Sequence, residues 1–341
     1  MWPMGQSVDL STGEVPSPGR VAGGGAVDID VRLRMFTWFA DVSGAVAVSR
    51  MGPEEITRAR SRRLSHNVVT SRVFGPMPRG VFVTDRVAHT DAGRLRVRLY
   101  RPHTARALPV VVNFHGGGGT LGNLDQSDWL CAHVASRVGA LVVSVDYRLA
   151  PEHPYPAGRD DGYAAVTWAA RQAAALGARP DRLAVMGDSA GGNMAAVVCL
   201  LARESGPVID AQVLLYPALD LTFERPSVDR FADGPVLTRT DMEVFRSHYL
   251  GDDGDPTDPL CSPLFAPDVA DLPPALIVTA AVDPLHDDGA DYARRLDAAG
   301  VPVRHTDHAR AVHGFLTFPG VCRASAQALD DVCAELSRRL A

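Results

Sequence analysis

The stretch Leu183-Ala184-Val185-Met186-Gly187-Asp188-Ser189-Ala190-Gly191-Gly192-Asn193 decides how the chain is read. An apolar run leads into it. A second run, Met194-Ala195-Ala196-Val197-Val198-Cys199-Leu200-Leu201, leads out with helical character. Gly187-x-Ser189-x-Gly191 therefore sits between a strand and a helix, the setting in which this pattern lifts a serine nucleophile to the end of a sheet. Such a turn is too sharp for Cβ atoms at its flanks, hence the glycines. The positive end of the helix lies behind the serine. An ordinary Gly-rich turn has the same local pattern, so the rest of the chain must decide between the two.

Outward from this stretch, short apolar runs recur at Leu108–Val112, Ala140–Val145, Val213–Tyr216 and Ala275–Val278. Near-continuous apolar strands of this length are buried on both faces, as in parallel sheets. Helical stretches over about 126–138, 159–176, 191–204 and 287–299 separate them, and a last strand at Val301–His305 precedes a closing helix over about 323–340. Strand–helix alternation of this kind predicts an α/β fold with helices on both faces of the sheet. Ahead of it, Val81–Ala88 and Leu95–Leu99 flank Asp91-Ala92-Gly93 and read as a hairpin with one solvated face.

Three regions fall outside the repeat. Residues 1–26 are rich in Gly, Pro and Ser and read as a loosely held tail. Residues 27–75 carry two predicted helices, one over 27–42 and one from Pro53 to about Asn67, which read as a lid or packing arm. Residues 219–262 are too long for an ordinary connection and include a helix near Arg239–Leu250. The α/β domain is then 76–218 plus 263–341, with 27–75 ahead of it and 219–262 inserted as a lid.

Composition removes several classes of function. The net charge of -6 leaves no basic field for nucleic acid. All 34 basic residues are arginine, so chemistry through a lysine amine is excluded. The five cysteines, Cys131, Cys199, Cys261, Cys322 and Cys333, form no C-x-x-C pair. They read as buried free thiols of a cytoplasmic protein. No membrane span, signal peptide or metal-ligand spacing is expected.

A serine nucleophile needs a base, an acid to orient the base, and donors for the developing oxyanion. The strand at 108–112 runs into His115-Gly116-Gly117-Gly118-Gly119. The N–H groups of Gly116 and Gly117, with that of Ala190, are the expected oxyanion donors; His115 braces the loop. Gly118, Gly119 and Asp188 are expected on the substrate pocket. Asp283 ends the strand that starts at Ala275 and is the expected acid; Asp287 and Asp288 read as the first turn of the next helix. Of His305, His308 and His313, the last lies in a loop free to reach Ser189 and is the expected base.

Taken together, His115–Gly118, Asp146–Glu152, Gly187–Asn193, Asp283–Leu285 and His313–Phe315 resemble the bacterial hormone-sensitive-lipase-like esterases of the α/β-hydrolase fold. The resemblance implies an eight-stranded, mostly parallel sheet forming the catalytic domain, with a helical cap built from 27–75 and the insertion 219–262. It implies a serine carboxylesterase acting on a small-molecule ester with short to medium acyl chains, without a cofactor. It also implies that Glu152 and its neighbours brace the serine turn from beneath. A homodimer is a family expectation only. Amidase, deacetylase or lactonase activity would use the same three residues, and a non-catalytic small-ligand receptor is the reading from another class. One departure stands out: Gly119 takes the place of a bulky aromatic residue, which should widen the pocket beside the oxyanion donors.

Overall fold

The computed structural model describes residues 29, 32, 33, 35, 47–64, 67–104 and 107–341. The tail over 1–26 and most of the first expected helix lie outside the described residues; Arg32, Leu33 and Met35 are helical. Eight strands form one sheet: β1 (Val81–Thr90), β2 (Gly93–Pro102), β3 (Leu108–Phe114), β4 (Leu141–Asp146), β5 (Ala178–Asp188), β6 (Ala211–Leu215), β7 (Ala275–Val282) and β8 (Val303–Val312). Their order is β1-β2-β4-β3-β5-β6-β7-β8. The β1–β2 and β2–β4 pairs are antiparallel, and the rest are parallel. This is an α/β-hydrolase fold.

The apolar runs build two cores through the strand period of two. Val110, Val112, Leu141, Val143 and Val185 face one side of the sheet, while Val111, Val142, Ala184 and Met186 face the other. Seven helices concern the site: α1 (Pro53–Ser61), α2 (Asp128–Val134), α3 (Ala157–Gln172), α4 (Ala190–Ser205), α5 (Arg239–Leu250), α6 (His286–Ala298) and α7 (Ala324–Leu340). Residues of α3, α4 and α6 join the first core, and those of α2 and α7 join the second. The segment between β6 and β7 builds a smaller cluster of its own from Leu221, Phe223, Val228, Leu237 and Met242.

Two boundaries differ from expectation. The helix starting at Pro53 ends at Ser61 and not near Asn67. Asn123 donates to the carbonyls of Arg60 and Arg62, and Leu64 N–H is taken by Asp125, so loop side chains hold the chain extended there. β8 runs on to Val312, which puts His308 inside the strand, paired across to Ala280. It is an edge strand, so polar residues facing water do not interrupt its backbone pairing with β7.

A charge cluster pins the hairpin to the sheet's second face. Arg98 on β2 reaches Asp85 at 2.7 Å, Asp125 at 2.9 Å and Asp128 at 2.8 Å, and Tyr100 donates to Asp128 at 2.6 Å. The bond to Arg98, with help from Arg96, holds the Asp85 carboxyl at about 2. Asp125 and Asp128 are nearly inaccessible to water, and Arg63 reaches Asp125 only from 3.6 Å, so removing Arg98 takes the near cation from two buried carboxylates. Arg98→Met should therefore lower the stability at pH 7 by about 3–5 kcal/mol. The urea midpoint of the variant checks this; a change under about 0.5 kcal/mol, the scale of an ordinary surface substitution, would contradict it.

Candidate active site

The turn between β5 and α4 has no room for side chains at its flanks. A Cβ on Gly187 would stand 2.1 Å from the Gly191 carbonyl oxygen, and one on Gly191 would stand 2.1 Å from that of Phe114. Between them Ser189 takes φ 54 and ψ -119, a conformation L-residues rarely adopt. Packing on both sides holds it there. Ser189 N–H donates to Leu215 at 2.8 Å, and Asn193 donates its side-chain amide to the carbonyls of Ala218 and Cys261, both at 2.7 Å.

Asp283 follows β7 directly and is fully buried. It accepts the Leu285 N–H at 2.8 Å through one oxygen and His313 Nδ1 at 2.8 Å through the other. That second bond orients the imidazole, whose Nε2 lies 2.9 Å from Ser189 Oγ. Tyr216 meets the His313 ring edge-on, with centroids 5.2 Å apart. Three residues from three strand ends are thus joined in one hydrogen-bonded row.

The rival groups are engaged elsewhere. His305 bonds to Thr279 at 2.9 Å, and His308 packs against Phe315. Asp287 takes the Ser227 N–H, while Asp288 takes those of Leu219 and Asp220. These two aspartates therefore tie α6 to the start of the 219–262 segment. Burial pushes the Asp288 carboxyl well above the usual range.

Three expectations need correction. Gly116 N–H does not face the site as a free donor: it is given to Asp188 Oδ1 at 2.9 Å. Asp188 is buried beside the turn, and burial pushes its carboxyl up to about 6 against the pull of that bond. Among the described residues the N–H groups of Gly117, Gly118 and Ala190 have no acceptor, whereas that of Gly116 has one. The left-handed φ values of Gly117 and Gly118, 119 and 63, make this turn of the loop possible. Secondly, Glu152 is not beneath the serine turn. It is half-exposed and pairs with Arg60 of α1 at 2.8 Å. Tyr147, earlier in the same segment, braces the glycine loop instead: it donates to His115 O at 2.6 Å and stacks on the His115 ring. Thirdly, the space beside Gly119 is not open. A Cβ there would meet the Tyr249 ring at 2.8 Å, and one on Gly118 would meet Phe245 at 2.3 Å. Aromatic rings of α5 occupy the room that the glycines leave. Glycines alone cannot reveal that, because the rings sit more than a hundred residues away.

Ser189, His313, Asp188 and Gly117–Gly119 open onto one cavity of about 390 Å³. Its far wall comes from α5 through Met242, Phe245, Arg246 and Tyr249. Among the described residues no three His, Cys, Asp or Glu side chains are arranged to hold a metal ion. Nor is any described helix long and apolar enough to cross a membrane.

A strained serine at a strand end, bonded through histidine to a buried aspartate, is the arrangement of serine hydrolases on this fold. Comparison with known proteins agrees. A family profile described as alpha/beta hydrolase fold matches residues 111–317. Carboxylesterase NlhH of Mycobacterium tuberculosis is 46% identical over 294 residues, covering 84% of this chain and 89% of its own. The carboxylic ester hydrolase LipN of the same organism is 45% identical over 267 residues, covering 76% and 71%. Among solved structures, a hyperthermophilic esterase from the archaeon Pyrobaculum calidifontis superposes with a TM-score of 0.80 at 35% identity, over 92% of this chain and 100% of that one. The chain belongs to the α/β-hydrolase family, in its hormone-sensitive-lipase-like branch. It is a carboxylic ester hydrolase.

One ionic cluster beside the site is pH-sensitive. His286, the first residue of α6, lies 3.5 Å from Asp307 and 2.9 Å from Asp287. A cation at a helix N-terminus is disfavoured, yet the bond to Asp307, joined by Asp287, raises the His286 pKa to about 9. Its folded pKa exceeds the ordinary value of about 6.5, so the contribution is full below that pH. It is lost as the pH rises through about 9. His286→Gln should remove on the order of 1–2 kcal/mol at pH 6, after allowance for solvent screening, and almost nothing at pH 10. Urea midpoints of parent and variant at both pH values check this; an equal loss at both would contradict it.

Proposed function

We propose that the enzyme hydrolyses short- to medium-chain carboxylic esters through a covalent acyl-serine intermediate. Ser189 Oγ attacks the ester carbonyl while His313 Nε2 takes its proton. Asp283 keeps the imidazole in the needed tautomer and steadies the imidazolium that forms. The oxyanion receives the N–H groups of Gly117, Gly118 and Ala190, a set of donors worth about 10²–10³ in rate for each one removed. As the tetrahedral intermediate collapses, His313 passes its proton to the leaving alcohol. Water then enters, His313 deprotonates it, and attack on the acyl-serine releases the acid as His313 returns the proton to Ser189 Oγ.

The observation that carries this reading is the unbroken hydrogen-bonded row Asp283–His313–Ser189, with links of 2.8 and 2.9 Å, opening onto the cavity. The cavity of about 390 Å³ supports a modest substrate, since it lies at the small end of the roughly 300–1,000 Å³ typical of ligand sites. The 219–262 segment and the helices before the sheet act as its cap. Four buried free cysteines, Cys131, Cys199, Cys261 and Cys333, support a cytoplasmic location.

Ser189→Ala should lower kcat on p-nitrophenyl butanoate by roughly 10⁴–10⁶ with an unchanged thermal midpoint. The parent should also lose kcat/KM steadily as the acyl chain lengthens from butanoate to hexadecanoate. Near-parental turnover in the variant would contradict the mechanism, and a preference for hexadecanoate would contradict the chain-length assignment.

A further inference from the structure

Three arginines line the cavity, and two of them are already paired. Arg148 bonds to Asp161 at 2.7 Å, and Arg159 bonds to Asp160 at 2.7 Å and to the Tyr155 hydroxyl at 2.8 Å. Arg246 is different. Its Nη1 donates to the carbonyls of Leu221 at 3.1 Å and Thr222 at 3.4 Å, and its guanidinium carbon lies 5.1 Å above the Phe223 ring. Among the described residues no Asp or Glu pairs with it, and no acceptor takes its Nε–H or Nη2–H groups. The two carbonyls and the ring thus fix one end of the guanidinium. The edge left over, Nε with Nη2, is the edge that receives a carboxylate through two parallel hydrogen bonds.

The helix places Arg246 on the cavity wall. Met242, Phe245, Arg246 and Tyr249 lie at the spacing of one helical face, and all four line the cavity. Phe245 and Tyr249 rest on Gly118 and Gly119 of the oxyanion loop. Arg246 lies between them along the helix. Among the described residues Asp188 is the one carboxylate on the cavity wall, and it is engaged by Gly116. An apolar cavity with a single unneutralised cation, held but not saturated, is built for a ligand with an anionic end.

We infer that Arg246 binds a carboxylate at the far end of the substrate, so that small esters carrying a terminal carboxylate, such as half-esters of short dicarboxylic acids, are preferred over neutral esters of the same length. This rests on the esterase mechanism proposed above. Reaction at the ester is unchanged, and the distal carboxylate is neither formed nor consumed.

The test compares kcat/KM by pH-stat within two pairs. Monomethyl glutarate against methyl hexanoate puts the charge on the acyl side; 3-butanoyloxypropanoate against butyl butanoate puts it on the alcohol side. The parent should favour the anion about tenfold or more in at least one pair, the scale of a charge-assisted bidentate contact. Arg246→Met should abolish that preference, lowering kcat/KM on the anionic esters about tenfold more than on the neutral ones, the scale of the lost charge-assisted contact. Arg246→Lys should restore part of it, as a point charge without the fork. Added salt should weaken the parent's preference. No preference in either pair, or an equal loss on charged and neutral esters in Arg246→Met, would overturn the inference. Failure of the parent to hydrolyse all four esters would instead overturn the esterase mechanism, and this inference with it.

Discussion

Everything at this site depends on how closely α4 approaches β3 and β5. The Gly191 backbone lies so near the Phe114 carbonyl, and Gly187 so near Gly191, that a single methyl group at either position would collide at 2.1 Å. That approach forces Ser189 into its left-handed conformation and projects its hydroxyl above the sheet. Backbone strain of this kind costs on the order of 1–3 kcal/mol and persists only where packing over-determines it. Here both cores supply the packing, since β5 is central in the sheet and its side chains enter each one. The strained turn thus converts the stability of the whole sheet into the position of one oxygen atom.

Buried polar groups then align the loops with that oxygen. Asp188, next to the serine, holds Gly116 and so sets the path of the glycine loop. Asp288 holds the Leu219 and Asp220 N–H groups, and Arg225 bridges Asp220 to Asp291 at 2.9 and 2.7 Å. The 219–262 segment is thereby anchored to α6, which begins just after Asp283. Each such carboxylate is costly to bury and is retained because a backbone N–H or a guanidinium meets it, two backbone donors at once in Asp288. Asp283, the anchor of the segment and the first turn of α6 are therefore one continuous piece of chain.

Much of this is legible in the sequence for identifiable reasons. β3, β4, β6 and β7 are buried on both faces, so their apolar runs mark them plainly. Ser189, Asp283 and His313 stand at strand ends in the order this fold demands. The end of β8 is hidden because an edge strand pairs through its backbone whatever its outward side chains are. Gly116 is misplaced among the donors because its acceptor, Asp188, lies 72 residues further on, and four consecutive glycines look alike until one is bonded. Tyr249 filling the space over Gly119, and Arg246 beside it, depend on how α5 lies across the sheet, which no local pattern encodes. The reach of Glu152 to Arg60 depends in the same way on the docking of α1.

The most direct measurement is covalent labelling of the intact protein with a fluorophosphonate, followed by peptide mass spectrometry. A phosphonyl group reports an activated hydroxyl and mimics the tetrahedral intermediate. One equivalent should attach at Ser189, and the labelling rate should fall by several orders of magnitude in His313→Ala, where the serine has lost its base. Attachment at another residue, or equal labelling rates with and without His313, would contradict the account.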